Sequence, residues 1–230
     1  MRHARCVERE WLDELPAEDP RAVRSRRDLG RVNALMSNAP IVAGELRAFA
    51  GSLRRVAEIG AGDGTFALRL LRALPRPAAA AEIVLLDRQP VVSERVEKEI
   101  AELGWRAAWR RADVFEWLRS DDAGHCDAIV ANLFLHHFED GPLADLLQLA
   151  ASRARLFVAC EPRRSRLALL GSHLLGFIGC NDVTCHDAVV SVRAGFRGQD
   201  LSQLWPAAAA HVLRERPRGL FSHGFVARAP

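Results

Sequence analysis

The sequence predicts an α/β protein with a doubly wound, mostly parallel seven-stranded sheet, a terminal antiparallel hairpin and an N-terminal helical lid. Three observations predict this fold. Short apolar segments alternate with segments of helical composition between residues 53 and 162, which is the pattern of parallel strands joined by helices. Closely spaced glycines join the first apolar segment to the first helix of this series. Two alternating segments near residue 220 flank Pro217-Arg218-Gly219, which favours a hairpin.

Length and composition favour one globular domain. The 230 residues are enough for one sizeable core, and the net charge of +3 is too small to imply a nucleic-acid partner. No apolar signal segment is visible at the start, and the longest apolar run, residues 167–178, is too short to cross a bilayer. The five cysteines are odd in number and scattered, which favours reduced thiols. We therefore expect a cytoplasmic protein with no membrane span; no feature specifies an oligomeric state.

Two helices are predicted before the first strand. Asp19 and Pro20 are typical of a helix start, and the apolar face of this helix comprises Val23, Leu29, Val32, Leu35 and Met36. A second helix covers residues 40–50 and ends at Gly51. Another face of the first helix carries Arg24, Arg27 and Arg31. We interpret these arginines as a solvated face; the alternative is that one of them contacts a carboxylate of a ligand.

The strand, turn and helix between residues 56 and 74 indicate a ligand site. Residues 56–59 predict a buried strand, and residues 66–74 predict a helix that Pro75 stops. Glycines at positions 60, 62 and 64 permit a sharp turn, because a residue without Cβ reaches positive φ and lets a ligand approach the backbone. The helix start presents unpaired N–H groups, and Glu58 adds a carboxylate. This unit predicts a nucleotide-like ligand; the alternative is a tight turn that binds nothing.

The following segments complete the parallel sheet. Residues 82–87 predict a strand that ends at Asp87, and Pro90 opens a helix with Val92 and Val96 on its apolar face. A carboxylate at such a strand end can accept both hydroxyls of a ribose, in dehydrogenases and in methyltransferases alike. Further strands are predicted at residues 105–110, 126–132 and 155–162, with a helix beginning at Pro142. Beyond them we expect an apolar helix at 163–178, an irregular polar stretch at 179–193, a short helix at 200–204 and hairpin strands at 211–216 and 220–228.

The glycine pattern is similar to that of one family. In the dinucleotide-binding fingerprint the third glycine comes one residue later, where this chain has Thr65. The pattern Glu58-x-Gly60-x-Gly62-x-Gly64 instead resembles motif I of the class I S-adenosylmethionine-dependent methyltransferases, and the order of elements across residues 54–162 resembles that family too. The resemblance implies a Rossmann-like methyltransferase fold with S-adenosylmethionine as cofactor.

The resemblance also implies which residues contact the cofactor and how the domain is divided. The assigned residues are Glu58, Gly60, Gly62 and Gly64 for the methionine and ribose, Asp87 for the ribose, Asp113 and Val114 for the adenine edge, and Asn132 and Leu133 beneath the sulfonium. We expect a single domain with a helical cap at 1–52, a cofactor-binding core at 53–162, a substrate-side insertion at 163–206 and a terminal hairpin at 207–230.

Histidines are the candidates for a catalytic base. Methyl transfer from a sulfonium requires alignment and, for a hydroxyl nucleophile, removal of a proton, for which histidine is suited near neutral pH. His186, next to Asp187 in the polar stretch, is the first candidate, and His137, just past the fourth strand, is the second. The alternatives are that His136 or His137 only shapes its loop and that His173 is a buried core histidine. The spacing of the neighbouring cysteines at 180 and 185 lacks a second pair of ligands, so no metal is expected.

The expected activity is methyl transfer to a small molecule, most simply to the hydroxyl of a phenolic or polyketide-like metabolite. The Leu-His-His-Phe junction at residues 135–138 and the His-Asp pair resemble small-molecule methyltransferases of bacterial secondary metabolism. Three alternatives stay open at this point. They are carbon methylation in a quinone-like pathway, an NAD(P)-dependent oxidoreductase, which Thr65 disfavours, and a non-catalytic cofactor-binding protein.

Overall fold

The structure is a computed structural model that describes residues 4–16, 18–89, 91, 93–206 and 210–230. In these ranges the helices are α1 Trp11–Glu14, α2 Pro20–Met36, α3 Asn38–Leu46, α4 Thr65–Arg72, α5 Glu94–Glu102, α6 Val114–Arg119, α7 Asp140–Arg153, α8 Arg166–His173, α9 Asp182–Ala194 and α10 Asp200–Leu204. The strands are β1 Arg55–Ile59, β2 Ala81–Asp87, β3 Trp105–Arg111, β4 Cys126–Asn132, β5 Ala154–Pro162, β6 Val212–Arg218 and β7 Ser222–Arg228. The predicted helix start at Pro90 and the inward position of Val92 lie outside the described residues. None of the described helices is long and apolar enough to cross a membrane.

The seven strands form one sheet in the order β3-β2-β1-β4-β5-β7-β6. Strands β1 to β5 run parallel to one another, whereas β7 runs antiparallel to both β5 and β6. The direction of the chain order reverses between β1 and β4. Open α/β sheets bind their ligands in the crevice beyond the carboxyl ends of the strands at such a point. The predicted fold class is confirmed, including the terminal hairpin.

Helices cover both faces of the sheet, as the nearly continuous apolar sequences of its parallel strands require. On one face the core includes Leu46 of α3, Leu70 of α4 and Ile100 of α5. On the other face it includes Leu118 of α6 and Leu147 of α7, together with α10 residues. With both faces of the sheet covered, its carboxyl edge stays available for a site.

The polar stretch at residues 179–193 is a helix, so the prediction of an irregular segment is wrong. Asn181 caps α9 by accepting a hydrogen bond from Thr184 N at 3.0 Å. The inner positions Thr184 and Asp187 are 0% and 3% exposed, but both are polar. Thr184 Oγ1 donates to Ser25 Oγ of α2 at 2.9 Å. Thr184 and Asp187 lie among the apolar residues Val183, Val190 and Ala194 on the buried face of α9. They interrupt the apolar periodicity by which a helix is identified from its sequence.

The same contact changes which face of α2 is buried. Its buried residues are Ala22, Ser25 and Asp28, whereas Leu35 of the predicted apolar face is 70% exposed. Asp28 Oδ2 accepts a hydrogen bond from Asn181 N at 2.8 Å, at the start of α9. The predicted apolar face of this helix is therefore wrong, again because the partner surface is polar.

An N-terminal segment, residues 4–14, lies against α9. Arg5 Nε donates to Ala194 O at 2.8 Å, and Arg5 Nη2 donates to Phe138 O at 2.5 Å. The carboxylate of Asp187 accepts hydrogen bonds from Trp11 N at 2.9 Å and from Leu12 N at 3.0 Å, which fixes the start of α1. The segment thereby reaches the 3₁₀ turn Leu135–His137 that follows β4.

Candidate active site

The glycine turn between β1 and α4 has the backbone that its sequence predicts. Gly60, Gly62 and Gly64 have φ values of 74°, 54° and 72°. A Cβ on Gly60 would lie 2.3 Å from the Phe134 ring, and one on Gly64 would lie 2.9 Å from Trp109. A Cβ on Gly62 would meet nothing within 4 Å among the described residues. Two of the glycines are therefore needed for packing inside the protein, and the middle one borders open space that a ligand can fill.

Carboxylates surround this turn. Asp87 Oδ2 accepts a hydrogen bond from Gly62 N at 2.8 Å, and its Oδ1 accepts one from Gln89 N at 2.8 Å. Glu58 is 2% exposed, and its Oε2 has no hydrogen-bond partner among the described residues. Burial, followed by the nearby charges of Asp63 and Asp87, raises the pKa of Glu58 well above its usual value. A ligand hydroxyl placed here would pair with Glu58 Oε2, the carboxylate oxygen of this group that lacks a partner.

Asp113 and Val114 begin α6 next to the end of β3. Asp113 Oδ1 caps the helix by accepting from Phe115 N at 2.8 Å and from Glu116 N at 3.4 Å. Val114 is 5% exposed and belongs to the core. Capping of α6 is sufficient to explain an aspartate at position 113, even if no ligand binds there. The other carboxylate oxygen, Asp113 Oδ2, can still accept a hydrogen bond from a ligand.

Asn132 and Leu133 form a constrained end to β4. Asn132 Oδ1 accepts from Asn38 Nδ2 at 2.9 Å, and Asn38 Oδ1 accepts from Ser222 Oγ at 2.7 Å, which links β4 to α3 and β7. Leu133 has a φ of 51°, a left-handed conformation that costs a non-glycine residue about 1–2 kcal/mol. This strain turns the chain so that Phe134 covers Gly60.

A buried histidine lies between two carboxylates next to this turn. His136 Nδ1 lies 2.8 Å from Glu161 Oε2, and His136 Nε2 lies 3.3 Å from Glu10 Oε1. Glu161 is 0% exposed, and its Oε1 also accepts from Phe134 N at 3.0 Å. Neither glutamate is among the residues predicted from the sequence. Glu161 could have been recognised as an acid at the carboxyl end of a strand, like Asp87, whereas Glu10 gives no local signal.

The two carboxylates hold a proton on His136. Burial disfavours the charged imidazole, but the contacts with Glu10 and Glu161 outweigh it and raise the pKa of His136 to about 9. Burial likewise opposes ionisation of Glu10, yet His136 and His137 keep its pKa well below the usual value. At neutral pH His136 is therefore a hydrogen-bond donor to both glutamates and has no lone pair with which to accept a proton.

Both histidines predicted as a base lie against residues 10–12. His137 Nε2 is 3.4 Å from Glu10 Oε2, and its ring lies 6.4 Å from that of Phe134. His186 Nδ1 is 2.8 Å from Asp187 Oδ1, and its ring stacks on Trp11 at 3.8 Å. Both predicted bases are therefore in contact with the N-terminal segment, residues 4–14. His173 is exposed on α8, so the prediction of a buried core histidine is wrong.

Glu10, His136 and His137 form a cluster of side chains of the kinds that bind metal ions. Ligand atoms of Glu10, His136 and His137 lie within 4.8 Å of one another, the one such group found in the described ranges. The proton on His136 already balances one of the two glutamate charges. Arg5, whose Nη2 donates to the carbonyl oxygen of His136 at 3.3 Å, supplies a second positive charge close by. The residues are therefore paired without an ion.

Comparison with known proteins identifies the class of fold. Residues 56–155 match the model of a methyltransferase domain. Among solved structures, the chain is similar to an O-methyltransferase family protein from Burkholderia thailandensis, with a TM-score of 0.64 and 20% identity over 93% of this chain and 61% of that one. It is also similar to the plantazolicin methyltransferase BpumL solved with SAH, with a TM-score of 0.64 and 13% identity over 93% and 92% of the two chains.

A third similar structure is the N,N-8-amino-8-demethyl-D-riboflavin dimethyltransferase RosA from Streptomyces davawensis. Its TM-score is 0.61, with 22% identity over 96% of this chain and 62% of that one. The chain thus spans about three fifths of the length of the Burkholderia and Streptomyces proteins. Comparison with curated proteins gives no sequence match. The structural likeness establishes the fold.

The charge on His136 predicts a specific dependence of stability on pH. Because its pKa in the folded protein lies above the unfolded value of 6.5, its contribution is complete below about pH 6.5 and is lost as the pH rises through about 9. His136→Gln should therefore lower the free energy of unfolding on the order of 3 kcal/mol more at about pH 6 than at about pH 10. Urea titrations of both proteins across this range measure the difference. His173→Gln, at an exposed histidine, is the control and should show no such dependence; an equal effect of His136→Gln at both pH values would mean that His136 is neutral.

Proposed function

We infer from this chain's membership of the class I S-adenosylmethionine-dependent methyltransferase family that it methylates a small molecule, and we propose an oxygen of a phenolic or polyketide-like compound as the acceptor. The observation that carries this proposal is the glycine turn, with open space at Gly62 and the unpartnered Glu58 Oε2 on the preceding strand. Phe134, which covers Gly60, connects this turn to His137. The cytoplasm is the compartment we propose. Family membership removes the support for an NAD(P)-dependent oxidoreductase.

The residues around the glycine turn fit S-adenosylmethionine. When bound, this cofactor supplies a methyl group that is already activated as a sulfonium. We assign the ribose hydroxyls to the remaining lone pairs of Asp87 and the polar part of the methionine to the region of Gly60, Gly62, Gly64 and Glu58. We propose that Asp113 and Val114 contact the adenine edge. Asn132 and Leu133 are proposed to lie beneath the sulfonium. The unpaired Glu58 Oε2 is the feature that most needs a partner.

His186 and His137 are the candidate bases, and His136 is not. The Asp187 carboxylate can hold the proton of His186 on Nδ1, which leaves the Nε2 lone pair to accept a proton from an acceptor hydroxyl. His137 is nearer to the glycine turn, since it contacts Phe134, which in turn covers Gly60. His136 keeps its own proton and instead orients the loop. We propose His186 as the base, with His137 as the alternative.

The first test of this proposal concerns Gly62. A valine side chain at this position should occupy the ligand space and abolish the binding of S-adenosylmethionine, as measured by isothermal titration calorimetry. Gly198→Val is the matched control, because Gly198 also has a positive φ, 59°, and a Cβ there would meet nothing within 4 Å. Both variants carry comparable backbone strain, so only loss specific to Gly62→Val supports the assignment. Equal binding by the two variants would place the cofactor elsewhere.

The second test concerns the base. His186→Gln should lower kcat for a phenolic acceptor about a hundredfold with the Kd for S-adenosylmethionine unchanged, and raising the pH should restore part of the rate because solvent then ionises the phenol. Product formation by mass spectrometry across a pH series, with the best acceptor from a panel of simple phenols, gives these values. His173→Gln is the control and should behave as wild type. Loss of activity in His137→Gln alone would transfer the role to His137, and full activity in both would contradict a general base and favour a carbon nucleophile.

A further inference from the structure

An apolar patch lies on the outer side of α8 and of the 3₁₀ turn that follows it. Its members Leu167, Leu170, Leu174, Phe177 and Ile178 are 48%, 57%, 48%, 87% and 53% exposed. They are five of the eleven large hydrophobic residues found exposed in the described ranges, and all fall within residues 167–178. Single exposed hydrophobic residues are ordinary, but a continuous group of them indicates a binding surface.

The patch is held in a defined orientation. Ser165 Oγ caps α8 by accepting from Ala168 N at 3.1 Å, and Ala168 and Ser172 are buried on the opposite side of the helix. A Cβ on Gly171 would lie 2.8 Å from the ring of Phe221, so the β6–β7 turn packs closely against α8. Leu220 in that turn is 56% exposed and extends the apolar surface.

Positive charge borders the patch at both ends. Beyond Ile178, Arg24 Nη2 donates to Gly179 O at 3.1 Å. Beside Leu220, Arg163 Nη1 donates to Gly219 O at 3.4 Å. The contact of Arg24 joins the patch to the arginine-bearing face of α2.

The two segments that meet here are rich in arginine and poor in acidic residues. Residues 20–36 and 163–179 together contain eight arginines and a single acid, Asp28, in a chain whose net charge is only +3. Asp28 is 1% exposed and accepts from Asn181 N, so it does not face solvent. Asp182, the acid at the start of α9, pairs with Arg21 at 2.6 Å. Arg31 pairs with Asp28, and Arg164 pairs with Asp200. The net positive charge around the apolar patch therefore comes mainly from Arg24, Arg27, Arg163 and Arg166.

We propose that this face docks on the surface of an anionic lipid bilayer. The apolar side chains of α8 enter the boundary between headgroups and acyl chains, and the surrounding arginines contact lipid phosphates. A second copy of the same face fits less well, because a symmetric contact would bring the arginines of the two copies together. The proposal does not depend on the methyl-transfer activity.

Sedimentation of the full chain with vesicles tests this proposal. The protein should partition onto vesicles of phosphatidylcholine mixed with phosphatidylglycerol and much less onto phosphatidylcholine alone, and added salt should weaken the partition. Leu170→Ser/Phe177→Ser should lower the partition coefficient at least tenfold. Arg24→Ala/Arg27→Ala should lower it about twenty-fivefold, at roughly fivefold per arginine.

Matched variants distinguish binding through this face from nonspecific binding through other exposed hydrophobic residues and arginines. Val212→Ser/Leu213→Ser removes exposed hydrophobic residues on the edge strand, and Arg76→Ala/Arg119→Ala removes exposed arginines elsewhere. Both should partition as wild type, and thermal melting establishes that every variant is folded. Equal partition of patch and control variants would overturn the proposal. Failure of the wild type to bind anionic vesicles would also overturn the proposal. In that case, a dimer seen by light scattering that Leu170→Ser/Phe177→Ser dissociates would identify a second copy of the chain as the partner of the patch.

Discussion

A buried ion network joins the parts of this protein that form its candidate site. The imidazole of His136, directly after β4, lies between Glu161 at the end of β5 and Glu10 from the N-terminal segment. A charge inside a protein is tolerated only when it is paired and hydrogen-bonded, so each member of the network requires the others. Ser191 of α9 also donates to Glu10, which brings a further element into the network. The sheet edge, α9 and the covering segment are thereby held as one unit.

The network also positions residues beside the glycine turn, where we place the cofactor. Glu161 accepts from the backbone of Phe134, whose ring fills the space beside Gly60 that a larger residue would need. Leu133 is held in a left-handed conformation at the same junction. Packing thus closes the turn at Gly60 and leaves it open at Gly62. Because methyl transfer from a sulfonium depends mainly on alignment, a junction this constrained suits the proposed reaction.

The features predicted correctly from the sequence are those encoded by neighbouring residues. The glycine turn, the strands of the sheet and the hairpin each follow from a short local pattern. The predictions failed where polar groups replace an apolar face, as in α9 with its buried Thr184 and in α2 with its buried Asp28. Glu10 was missed for a different reason. Its partner His136 is 126 residues away, and no local pattern marks either residue as half of a pair.

Hydrogen–deuterium exchange with and without S-adenosylhomocysteine tests the position of the cofactor site, because it reports where the product of the cofactor meets the backbone. We expect slower exchange, on binding, of peptides that cover residues 58–66, 85–89, 113–118 and 132–138. These are the glycine turn and the carboxyl ends of the neighbouring strands. Binding that slows exchange only in other parts of the chain, or no binding at all, would contradict the placement of a methyltransferase site at this edge of the sheet.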